Sequence, residues 1–135
     1  MVDVFSYGSY ALNGWFYTGI QDPSKEFKKE TAIRQPAQTP VFMDSIWADT
    51  WPTASEHPPL DLYSGDASSF GRICIVRHGG QAPARGSLKR AHGSALPGSN
   101  IQMVYADGHA AAIRLERLWD QYWHLDYVPP AVRPR

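Results

Sequence analysis

The chain has 135 residues, enough for one domain with a single core and too few for two good ones. Its 13 basic residues balance 13 acidic ones, which excludes the one-sided charge that nucleic acid or an anionic membrane surface selects. The single cysteine, Cys74, excludes an internal disulfide, and no apolar run is long enough for a membrane span. No charged-then-apolar leader follows Met1, so the chain reads as soluble and nucleic acid is not an expected partner.

In chain order, aromatic residues from Ser6 to Tyr17 surround Asn13-Gly14, a dipeptide that predicts a turn between short extended pieces. Ser24 to Ile33 carries a capping serine with apolar residues at Phe27 and Ile33, and reads either as one or two helical turns or as a polar loop. Pro36 and Pro40 break any helix, and Val41-Phe42-Met43-Asp44 follows as a short strand. Ser45 to Gly65 is a long irregular excursion with Trp47, Trp51, three prolines and several carboxylates, and ordered loops of that length tend to be functional.

Gly71 to His78 predicts a strand that ends at Gly79-Gly80. On such a strand Cys74 is a buried core filler, because an activating base at His78 would stand about 13 Å away at normal rise. Gln81 to Ser99 is polar and aperiodic and predicts an exposed insertion loop. Asn100 to Tyr105 and Ala110 to Ile113 flank Asp107-Gly108, which predicts a hairpin closed by a type I′ turn with positive φ at both residues. Ile113 to Trp119 has apolar residues near helical spacing and predicts a short helix or closing turn, and residues 128–135 form an irregular tail. Residues 1–135 are therefore expected to form one α+β, β-dominated head domain with an antiparallel sheet of about four strands and long loops.

Ile75-Val76-Arg77-His78-Gly79 matches the strand-end signature of histidine phosphatases. That chemistry needs further cationic groups and a leaving-group acid on alternating β and α units. Only 57 residues follow His78, and they read as a hairpin and a tail. The five histidines show no His-x3-His or His-x-His pair, so no zinc site is expected. Asp44, Asp49 and Asp61 are calcium candidates or else solvated loop carboxylates. Trp119, Tyr122 and Trp123 share one side of a helical turn, as a sugar-stacking platform or as a plug closing the core. With Trp47 and Trp51, Trp119 and Trp123 make up the candidate ligand surface. Asp107 suits a left-handed turn position, and His78 and His109 flank it, so His78, Asp107, Gly108 and His109 are the candidate fold-locking residues.

Taken in order, Ser9 to Trp15, Thr39 to Asp44, Arg77-His78, Asn100 to His109 and Leu118 to Pro130 resemble the C-terminal globular domain of the prepilin-like proteins of planctomycetes and verrucomicrobia. That group carries a processing-associated motif of His, nine residues, then Asp-Gly. Here 28 residues separate His78 from Asp107 and 14 separate His92 from it, so His78 takes the motif position only if residues 81–99 are an insertion. The resemblance implies a non-enzymatic, pseudopilin-like subunit or accessory of a type II secretion or type IV pilus-like filament. It also implies that the parent is periplasmic or at the cell surface and anchored by an N-terminal apolar helix that this chain lacks. The implied partners are other pilin-like subunits or secretion components, and no cofactor is implied. A glycan- or calcium-binding module is the alternative from another class, and a histidine phosphatase is the third.

Overall fold

Extended segments whose alternate residues are apolar meet in one mixed sheet. The computed structural model describes residues 9–80 and 87–135, so Ser6 to Gly8 and Gln81 to Gly86 lie outside the described residues. The strands are β1 (Ser9–Asn13), β2 (Pro40–Ser45), β3 (Asp49–Thr50), β4 (Asn100–Tyr105) and β5 (Ala110–Arg114), in the spatial order β3-β1-β2-β4-β5. Neighbours from β1 to β5 pair antiparallel, and β3 alone runs parallel, beside β1. The expectation of about four antiparallel strands describes the four main strands. The fifth is two residues long, too short to show an alternation.

The segment expected as a strand from Gly71 to His78 is not one. Ser69–Ile73 forms a one-turn helix, α1, because Ser68 Oγ accepts the Gly71 amide at 3.0 Å and the Cys74 amide returns to the Phe70 carbonyl at 2.7 Å. Ile73, Cys74 and Ile75 are all fully buried, and a short apolar run buried on every side has no period to distinguish helix from strand. Burial also pushes the Cys74 thiol up to about 12, which leaves it inert.

The hairpin forms where expected, with a different turn. The Gly108 amide donates to the Tyr105 carbonyl and the Tyr105 amide to the His109 carbonyl, both at 2.9 Å. Gly108 takes φ +93° while Asp107 stays in the ordinary region, so this is a turn centred on Ala106-Asp107 with a glycine bulge, not type I′. At the chain start the turn expected at Asn13-Gly14 forms, as a 3-10 turn after β1. Asn13 accepts the Trp15 amide at 3.1 Å and starts a 3-10 turn at Gly14–Phe16. The Trp51 ring lies so close over Gly14 that a Cβ there would come within 2.2 Å of it. Leu115–Asp120 is a 3-10 closing turn, whereas Ile113 and Arg114 belong to β5.

The core lies on one face of the sheet. Ala11, Met43, Ile101, Met103 and Tyr105 point into it, and the closing turn covers them with Leu115, Leu118 and Trp119. Phe70 stacks on Trp119 at 4.2 Å and meets Trp123 edge-on at 5.9 Å. The buried indoles are satisfied, since Trp119 Nε1 donates to the Glu56 carbonyl at 2.9 Å and Trp123 Nε1 to the Leu118 carbonyl at 2.8 Å. Buried Asn13 ties the elements together by donating to the Pro40 and Trp123 carbonyls, both at 2.9 Å. Of the loop expected to be exposed, the described part 87–99 contributes buried Leu96 and Ser99 and bridges Lys89 to Asp61. The tail is irregular, yet Arg133 pins it through Glu116 and the Ser94 carbonyl.

Candidate interaction face

Because side chains alternate across a strand, every residue sent into the core leaves its neighbours on the opposite face. The register places Leu12 beside Phe42, Phe42 beside Val104, and Val104 beside Ala110. These four form an apolar row across four strands, about 14 Å long at the usual strand spacing. Tyr10, two residues before Leu12 and on the same face of β1, is 70% exposed, Phe42 47% and Val104 38%. Contiguous exposed apolar residues on a sheet mark a surface suited to a partner.

At the edge of this row, a carboxylate joins three segments distant in sequence. Met43 pairs with Met103, and the next amide of β4, that of Gln102, donates to Asp44 Oδ2 at 2.7 Å. The same oxygen lies 2.9 Å from His78 Nε2. His78 in turn exchanges both backbone hydrogen bonds with Asn100, at 3.1 and 2.8 Å, and Arg77 donates to the Ser45 carbonyl at 3.3 Å. The Asp44 side chain is only 11% exposed and that of His78 49%, so the acid is held inside and the imidazole covers it.

The expected partner of His78 was Asp107, and the structure gives it Asp44 instead. Asp107 is locked locally. Its Oδ1 accepts the His109 amide at 3.1 Å and lies 2.5 Å from His109 Nδ1, and these two bonds hold its carboxyl below the usual range. The His109 ring stacks on Tyr105 at 4.5 Å. Asp107, Gly108 and His109 therefore form one local clasp, and His78 belongs to another.

The three calcium candidates are not brought together. Asp44 serves the His78 clasp, and Asp49 pairs with Arg72 at 3.1 Å. Burial opposes ionisation of Asp61, but bonds from the Tyr63, Leu88 and Ser64 amides and the Ser87 hydroxyl outweigh it and hold its pKa at about 2. The four tryptophans of the candidate ligand surface also separate. Trp119 and Trp123 are 1% and 0% exposed and belong to the core, where the plug reading had put them. Trp51 is half-buried over Gly14. Trp47 is 57% exposed, with the Arg72 guanidinium 6.0 Å from its ring.

Sequence reasoning missed two residues that organise this face. Asn100 receives His78, and Asp44 was noticed only as an oxygen donor. Neither pairing carries a sequence signal, because the partners lie 22 and 34 residues away. No family model, curated protein or solved structure matches this chain.

Proposed function

We propose that this domain is the non-enzymatic head of a pseudopilin-like subunit or accessory in a type II secretion or type IV pilus-like filament. Its parent would be periplasmic or at the cell surface and anchored through an N-terminal apolar helix. The observation that carries this reading is the closure of the chain between His78 and Asn100. These two residues form a backbone-bonded antiparallel pair, with 21 residues between them in sequence and seven, Asn100 to Ala106, running on to Asp107. A hairpin pair of this kind is most often closed by two residues. Two residues in place of those 21 would bring the interval from His78 to Asp107-Gly108 to the nine of the prepilin-like motif. His78 then occupies the motif position, and the long spacing is an insertion at a hairpin tip. The open apolar row on the sheet supplies the contact surface a filament subunit needs.

The reading is tested in the source organism by shearing surface filaments and probing them with an antibody against this domain. The expected result is a processed subunit in the filament fraction that disappears when the prepilin peptidase is inactivated. An unprocessed protein confined to the cytosol would overturn it.

A glycan-binding module is kept as a second reading because Trp47 presents an exposed indole next to a cation. Titration with polysaccharides should then quench tryptophan fluorescence, and Trp47→Ala should abolish the quenching without lowering the melting temperature.

A further inference from the structure

We infer that β5 is the seam of a homodimer, in which two copies pair antiparallel through their β5 edges about a two-fold axis at Ala112. This inference is independent of the filament reading. β5 ends the sheet, and among the described residues no strand pairs with its outer side. The phase of the ladder is fixed by the bonds from the Tyr105 amide to the His109 carbonyl and from the Leu115 amide to the Ser99 carbonyl. In an antiparallel pair bonded positions alternate with unbonded ones. Odd-numbered residues of β5 thus turn their backbone groups toward β4, and Ala110, Ala112 and Arg114 turn theirs outward.

Protected edges usually carry a proline, a bulge or an inward charge. The five paired residues Ala110 to Arg114 have neither proline nor bulge, and only Arg114 is charged. Methyl side chains at positions 110–112 leave the edge open to a second backbone.

The occupant follows from charge along the edge. Asp107 stands exposed at the hairpin end, and Arg114 stands exposed at the other. Antiparallel pairing centred on Ala112, the middle of the strand, sets Ala110 against the partner's Arg114 and brings the Asp107 end of each edge to the Arg114 end of the other. It makes about six backbone hydrogen bonds and opposes no like charges. Centring on Arg114 would instead set two guanidinium groups against each other. Of the two-fold registers, the one centred on Ala112 pairs all five residues of β5 with those of the copy, one patch against itself as an isologous dimer requires.

The test is sedimentation equilibrium of the 135-residue chain across a dilution series, with two variants. The chain should show a concentration-dependent dimer, and Ala112→Pro should be monomeric throughout, because it removes one outward amide and no bond to β4. On mild oxidation, Ala112→Cys should give a disulfide-linked dimer and Ala110→Cys should not. The paired 112 positions are then about 5.5 Å apart, whereas the 110 positions are separated by four residues of strand. The buried Cys74 thiol stays out of this reaction. A chain that is monomeric at every concentration, a dimer that persists in Ala112→Pro, or equal cross-linking at positions 110 and 112 would each overturn the inference.

Discussion

The two faces of the sheet are built from the same strands and are both largely apolar, yet they have opposite fates. Inward, Met43, Ile101 and Met103 are sealed under Phe70, Leu115, Leu118 and Trp119. Outward, Phe42 and Val104 flank them on the same strands and remain in solvent. The difference lies in what returns to cover each face. The closing turn after β5 folds back over one side, whereas on the other the His78 imidazole covers Asp44 and leaves Phe42 and Val104 partly exposed. Composition therefore does not define the core; the chain path does. In the proposed function, this apolar row on a sheet rigidified from behind is the contact surface.

Five variants would break or sharpen this contrast. The largest effect belongs to the sealed side. Trp119→Ala should cost about 3–5 kcal/mol in denaturant unfolding, because it empties the stack on Phe70 and orphans the Glu56 carbonyl. Next comes the clasp on the open side. Asp44→Ala removes the acceptor of the Gln102 amide and the partner of His78, and should cost about 1–3 kcal/mol. Asp107→Ala, at an exposed local clasp, should cost less.

A smaller effect comes from acid. Asp61 has a folded pKa of about 2 against an ordinary 3.8, so its contribution to stability is complete above about pH 4 and fades as pH falls toward 2. The melting temperature of Asp61→Asn should therefore fall less steeply over that range than that of the unaltered chain. The smallest effect is on the open row, where Phe42→Ser should change stability by less than about 1 kcal/mol. A loss as large as that of Trp119→Ala would mean that Phe42 is core and that the contrast between the faces is wrong.

Local chemistry was legible from the residues and long-range closure was not. Asp107-Gly108 between alternating runs announced a hairpin, and an Asp followed by Gly-His announced its own clasp. Only the turn type differed, because the glycine bulge lets Asp107 keep an ordinary backbone conformation. Ile73-Cys74-Ile75 misled because it is buried all round, so the cap at Ser68 decided its structure. The pairing of Asp44 with His78 is set by the return of a loop, and nothing in the intervening residues encodes that distance. Trp119 and Trp123 look alike as platform or plug until the sheet beneath them is in place.

The central claim is that the open row, and not the interior, is what this domain offers to its partners. The most direct test is the double variant Phe42→Ser/Val104→Ser, assayed for melting temperature and for recovery with sheared filaments. The account predicts a melting temperature within a few degrees of the unaltered chain, about what a ΔΔG near 1 kcal/mol produces, together with loss of the subunit from the filament fraction. Recovery at the unaltered level, or collapse of the fold, would contradict it.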